Sequence, residues 1–299
     1  MLRTTRTPVT LYTSEDPGAP KLARAAGSLK TVLKACLVTG YGSKPAAGWE
    51  AAFEDGNKIA LRSADAKSPQ GCLRVEHTNA NYADLRVYTA MSGIDAGAAA
   101  GALQRFPIYE GNTAVRRWWL VGCPRGFVFF SEGAYTTRPL YFGDFPTLAA
   151  GDNGNMVFAA HANGTYGNTT YSWNGLNYIS GTRATSFLLK SHDGLAAAAE
   201  AVFSSAGALS VSSNNYSADY PSPVSGGFSA FPVFIAELVG IRRVMRGLLP
   251  GLSCPAENLS AVSVGTEFAI GGDRYILMEI GDDSARRSPV LVNISAWEL

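Results

Sequence analysis

Two nearly continuous apolar runs, RWWLVG (117–122) and GFVFFSE (126–132), stand either side of CPR (123–125). A strand with one wet face alternates apolar and polar residues. A strand that is apolar at nearly every position needs cover on both faces. The two runs therefore predict a hairpin of central, doubly covered strands, and the rest of the chain must supply two layers to cover it. Successive strand residues face opposite sides, so at least one of Trp118 and Trp119 is expected to be buried.

Short alternating stretches supply candidates for those layers. NKIALRS (57–63), CLRVEH (72–77) and ADLRVYTAM (83–91) read as strands; in the last, Leu85 and Val87 face one way while Arg86 and Tyr88 face the other. Further strands are expected at NMVFAAH (155–161), ATSFLLKS (184–191), PVFIAELV (232–239), RRVMRG (242–247), TEFAIG (266–271), RYILMEI (274–280) and PVLVNIS (289–295), with TEFAIG and RYILMEI joined across GGD. Charged residues make up 16% of the chain, below the roughly 25% usual in globular domains, and glycine contributes 32 residues. Few charges and many glycines suit short strands joined by tight turns. The expected class is mainly β with a few short helices, in antiparallel sheets that are sandwich- or barrel-like.

Helical periodicity appears at Leu29, Val32, Leu33, Cys36 and Leu37, with Ser28 as the expected N-cap and Gly40 at the left-handed C′ position. So short a helix must dock its apolar face to persist. A second short helix is expected in DGLAAAAEAVFSS (193–205), entered from Asp193 into the alanine run. The chain divides into an extended, proline-punctuated N-terminal arm (1–26), with a brief strand at VTLYT, and a β-rich domain opened by the first helix (27–150). A polar, aromatic-bearing region of strands and loops (151–240) and a small C-terminal β unit (241–299) follow.

The segment CLVTGYGSKPAAGW (36–49) has the look of a phosphate-binding loop. Its glycines follow a helix, however, and so meet the negative end of the helix dipole, whereas a phosphate loop leads into a helix N-terminus. Lys44 is followed by Pro45, where a Walker loop needs Ser or Thr. The segment reads as a chain reversal that Trp49 anchors to the body, and no cofactor is expected.

Other chemistry is as thinly signalled. Cys36, Cys72, Cys123 and Cys254 are too widely spaced for a metal site and read as buried free thiols. The histidines are His77, His161 and His192; no G-x-S-x-G elbow accompanies them. Glu76, Asp84, Glu110 and Asp144 show no paired-carboxylate spacing, and GDDSARR (281–287) lacks the alternating oxygens of an EF-hand loop. No catalytic, cofactor-binding or metal-binding residue is assigned. The sequons at Asn163, Asn168, Asn215, Asn258 and Asn293 are what a chain rich in Asn, Ser and Thr produces by chance. The formal net charge is +1 with no basic stripe, so direct nucleic-acid binding is not expected, and the pairs Arg242–Arg243 and Arg286–Arg287 read as solvated faces or subunit contacts. The start carries no apolar leader, and the longest apolar stretch, FPVFIAELVGI (231–241), falls short of the about 20 residues of a spanning helix. A soluble protein made in a cytoplasm, without membrane insertion, is expected.

Two features suggest contacts with other molecules. Val9, Leu11 and Tyr12 put apolar side chains on the arm, which is expected to add a strand to a neighbouring subunit's sheet edge; the alternative is that it packs on its own body. Tyr166, Tyr171, Trp173 and Tyr178 cluster in a polar segment, where they either form a lid or interface or stack on a surface glycan.

The stretch VLKACLVTGYGSKPAAGWEAAFEDGNKIALR (32–62), followed by LRVYTAMSGIDAG (85–97) and RFPIYEGNTAVRRWWLVGCPRGFVFF (105–130), resembles tailed-bacteriophage virion structural proteins of capsid, neck or tail. RRVMRGLLPGL (242–252) is similar to the segment before their closing β unit. The resemblance is concentrated in residues 30–130. It implies an architecture of short helix, turn and strands, and carries over no catalytic residue. It also implies a non-enzymatic virion component, located in the particle, whose partners are other virion proteins and copies of itself. A carbohydrate- or receptor-binding tail or baseplate module and a virion-associated glycan-cleaving enzyme are the other two readings.

Overall fold

The computed structural model describes residues 4–108, 115–133, 137–148, 152, 154–160, 186–194, 197–204, 220–222, 226–257, 259, 261–281 and 287–299. The arm contributes β1 (Arg6–Pro8), β2 (Thr10–Thr13) and β3 (Leu22–Ala23). Helix α1 (Ser28–Lys34) runs directly into a π-helical turn, Ala35–Thr39. An antiparallel meander follows: β4 (Trp49–Asp55), β5 (Lys58–Ser63), β6 (Cys72–Asn79), β7 (Tyr82–Gly93) and β8 (Ala96–Pro107), side by side in that order. The short β9 (Val115–Arg116) pairs with β3. Next come β10 (Trp118–Cys123), β11 (Gly126–Glu132), β12 (Thr137–Asp144), β13 (Met156–Ala160), β14 (Ser186–Lys190) and β15 (Ala197–Ser204). The chain closes with β16 (Ala230–Val239), β17 (Arg242–Pro255), β18 (Glu267–Ile270), β19 (Asp273–Gly281), β20 (Arg287–Asn293) and β21 (Ala296–Glu298).

A 12-stranded sheet runs in the order β18-β19-β20-β17-β16-β15-β14-β13-β12-β11-β10-β2. It curls far enough for β19 to meet β12 in a single parallel pair, Thr137 with Ile280. Among the described residues no sheet closes into a barrel, and the expected mainly-β class with antiparallel sheets stands. The C-terminal strands β17 to β20 belong to this same sheet, with β18 and β19 as its edge hairpin.

The β10–β11 hairpin lies where the sequence demands it, between two cores. Trp118, Leu120, Phe127 and Phe129 enter one apolar cluster, shared with α1 and the inner face of the meander through Leu73, Val75, Leu85 and Val87. Trp119, Val121, Val128 and Phe130 enter the other, with Ile235, Leu252, Ile276, Val290 and Trp297. Both tryptophans of the pair are buried, on opposite faces. Each large apolar side chain so enclosed contributes about 1.5–3 kcal/mol.

Three expectations change. Ala197–Ser204 is a strand, not a helix: β14 and β16 offer hydrogen-bonding edges on both sides, and pairing between them outweighs the alanines' modest helical preference. Ser28 is the first helical residue and not the cap; Gly27, at φ 81°, precedes it, and the Ser28 hydroxyl donates instead to the Ala23 carbonyl at 2.7 Å. The arm lies on its own body. β2 pairs antiparallel with β10, placing Leu11 opposite Val121 and Tyr12 opposite Leu120, and β1 pairs with β21. Val9 and Leu11 both lean on the second core, as their spacing requires, while Tyr12 is fully buried and donates its hydroxyl to the Pro45 carbonyl at 2.6 Å. The expected contact of Val9, Leu11 and Tyr12 with a neighbour therefore gives way to intramolecular pairing, which covers an edge of the large sheet.

Candidate functional site

The GYGSKP segment is a seat for the arm. Lys44 Nζ donates to the Leu11 carbonyl at 2.8 Å and sits 3.5 Å from the Asp16 carboxylate; the Tyr41 hydroxyl donates to the same carboxylate at 2.9 Å. Gly42 has φ 54°, and a Cβ there would stand 2.5 Å from the Pro17 carbonyl oxygen, so only glycine lets the two backbones meet. Trp49 is buried and donates its indole N–H to the Cys123 carbonyl at 2.8 Å, fastening this end of the loop to the central hairpin.

The carboxylates singled out in the sequence do not converge. Glu76 is held by Arg74, and Asp84 by Arg105 at 3.2 Å. Asp144 is buried, accepting from the Ser68 hydroxyl at 2.9 Å and from Arg125 Nε at 2.8 Å; it links the segment after β5 to β12. Glu110 and His161 lie outside the described residues, as do Tyr166, Tyr171, Trp173 and Tyr178. His77 is buried, and its Nδ1 accepts the Leu29 backbone N–H at 3.0 Å, so a side chain from β6 serves the first turn of α1. All four cysteines are free and buried, and among the described residues no group of His, Cys, Asp and Glu is arranged to hold a metal ion. No helix among them is long and apolar enough to cross a membrane.

The most distinctive arrangement is the β16–β17 hairpin, and it begins with a bulge. Ile235 pairs with Gly247 and Ala236 with Met245, so Arg246 is the extra residue. A bulge re-aims its side chain. The Arg246 side chain is buried and makes a two-bonded fork with Asp152, at 2.7 and 2.8 Å. Its Nη1 also donates to Glu237 at 2.5 Å and to the Lys190 carbonyl at 3.1 Å. Glu237 is buried too, and accepts the His192 backbone N–H at 2.6 Å while its other oxygen lies 3.0 Å from His192 Nδ1. This hydrogen bond to Glu237 raises the His192 pKa above its ordinary value. Gly247 completes the root. A Cβ there would lie 2.2 Å from the Pro146 carbonyl oxygen, so its absence lets residues 145–148 pack against the bulge.

The other end of the hairpin is apolar and wet. Val239 pairs with Arg242, leaving Gly240 and Ile241 as the turn. Ile241 is 99% exposed, with Val239 and Met245 also exposed beside it and Arg242 and Arg243 solvated. Two carboxylates locked on one buried guanidinium make an anchor, because both already accept from a fixed cation. The arrangement gives a stiff base under a protruding apolar and cationic tip.

The sequence marks Arg242–Arg243 as a solvated face or subunit contact but not the tip, because Val239 and Ile241 fall within the longest apolar stretch, FPVFIAELVGI. It also missed the root, whose members Asp152, His192, Glu237 and Arg246 share no spacing. Comparison with protein-family models gives no match for this chain, and comparison with curated proteins gives none either.

Proposed function

We propose that this chain is a non-enzymatic structural component of a tailed-phage virion that docks on other virion proteins, or on copies of itself, through the tip of the β16–β17 hairpin. The observation that carries this reading is Ile241, a large apolar side chain left in water at the end of a hairpin whose root is fixed by a buried ion network. A turn with no contact to make is ordinarily polar. An exposed apolar knob flanked by arginines has the composition of an interface centre, where apolar residues and Arg are favoured. The resemblance of residues 30–130 to virion proteins supports the reading that this contact is made within a particle.

The test is incorporation. Ile241→Asp changes a side chain that touches almost nothing in the isolated chain, so its melting temperature should stay within about 1 °C of the parent, as surface substitutions do. Particles produced with the variant as the only source of this protein should contain at least tenfold less of it. Equal incorporation would reject the tip as the contact, and absence of the unmodified protein from purified particles would reject the reading as a whole.

A further inference from the structure

The outward face of the five-stranded meander carries an unbalanced arginine. On β6 and β7, Leu73, Val75, Leu85 and Val87 face the core, so Arg74 and Arg86 face outward, directly opposite each other in the ladder. Like charges in that position repel at close range. The neighbouring row is balanced, with Lys58 and Arg105 at its ends and Glu76 and Asp84 between them.

The acids of this face already have cations. Arg62 holds Glu50 at 2.5 Å, Arg105 holds Asp84, and Lys58 and Arg74 share Asp95 at 2.7 and 2.5 Å. Arg74 also pairs with Glu76. Among the described residues Arg86 makes no ion pair and no hydrogen bond; its guanidinium stands over the Tyr88 ring, 5.8 Å from the centroid. The Nε–H of Arg86 is buried without a partner, and so is the Nε–H of Arg74, a residue only 6% exposed. Two facing guanidiniums, each with a buried unused donor, make an unusual concentration of unmet hydrogen-bonding capacity. On the flanks, Ala60 is the partner of Arg74 on β5, and on the β8 side the ladder is bulged between Leu85 and Val87.

We propose that Arg74 and Arg86 form a binding site for an oxyanion, a carboxylate or a phosphate. The planar guanidinium presents paired N–H donors that match either group, and the Tyr88 ring beneath Arg86 holds that plane in place. A bound oxyanion neutralises the cation that has no acid and accepts from the donors that have no partner. Its source is either an acidic side chain of a docking protein or free phosphate.

The experiment is thermal unfolding of the full chain in sodium phosphate, sodium acetate or sodium chloride at matched ionic strength. The parent should show a saturable rise in melting temperature with phosphate, acetate or both, relative to chloride, because a ligand of the folded state alone stabilises it by mass action. A response to acetate alone points to a protein carboxylate as the source, and a response to phosphate points to the free anion. Arg86→Met should abolish the saturable rise, and Arg86→Lys should weaken the apparent affinity about tenfold. Arg242→Met, which removes an equal charge at the exposed tip, should leave it unchanged. If Arg86→Met does not fold, the Nε–H resonance of Arg86 in the parent gives the same answer, since it must shift saturably on titration with the effective anion. No saturable response in the parent, or one that persists in Arg86→Met, overturns the proposal.

Discussion

Two buried titratable residues pull the stability of this protein in opposite directions as pH changes. Burial pushes the His77 imidazole down to about 4, so the folded protein keeps it neutral while the unfolded chain takes up a proton near its ordinary 6.5. Its contribution is therefore complete above about pH 6.5 and is lost as pH falls toward 4, by about 3 kcal/mol at ~1.4 kcal/mol per pKa unit. Burial pushes the Asp144 carboxyl up to about 6, against the pull of Arg125. Here the folded protein holds the proton more tightly, so stability is greatest below about pH 4 and declines as pH rises through 6, by a similar about 3 kcal/mol. The two slopes nearly cancel between pH 4 and 6. His77→Gln keeps an acceptor for the Leu29 N–H but removes the titration, and its urea-unfolding free energy should fall steadily from pH 4 to 6. Asp144→Asn should show the reverse, a rise across the same interval. Parallel pH profiles for both variants and the parent would show that neither group titrates in this way. His77 ends the stretch CLRVEH that reads as a strand, but its partner is 48 positions away on another element, a distance no local pattern spans.

At the scale of elements, the β16–β17 hairpin shows what a buried ion network can do for a protruding strand pair. Arg246→Met leaves the Asp152 and Glu237 carboxylates enclosed without their cation, and removing one partner of a buried pair costs about 3–5 kcal/mol. Chemical denaturation should show that loss, and the triple variant Asp152→Asn, Glu237→Gln, Arg246→Met should recover part of it; no loss in the single variant would mean that water reaches the root freely. Which elements could be read in advance follows from side-chain chemistry. The β10–β11 hairpin was legible because bulky apolar residues fill both faces, and β5, β6, β7, β16 and β19 because β-branched or aromatic residues alternate or cluster. β8 was not, since AGAAAGALQRFP has few residues that prefer a strand, and its ladder with β7 is interrupted by bulges. β15 was misread for the same reason: alanine expresses little preference against a helix, and only the flanking strands decide its fate. Site features fared worse than strands. The Arg246 cluster depends on a bulge, and a bulge exists only once two strands have chosen their register.

The whole molecule is a layered β body in which the large sheet is covered on one side by the meander and on the other by its own curled continuation. The arm closes one edge by pairing β2 with β10, and Lys44 and Tyr41 hold it there. Most of the apolar surface is thus turned inward, which makes the few large side chains left outside informative. Among the described residues Ile241 is the most exposed of them, and its place on an anchored hairpin is what the proposed role in assembly rests on. Photo-cross-linking from that position tests the account most directly. A benzophenone-bearing residue at 241 and, as a control, at the exposed Asp55 should be carried by folded protein in assembled particles and irradiated there. A defined cross-link to a particle protein is expected from 241 and none from 55. Efficient cross-linking from 55 with none from 241, or no protein in the particle at all, would contradict it.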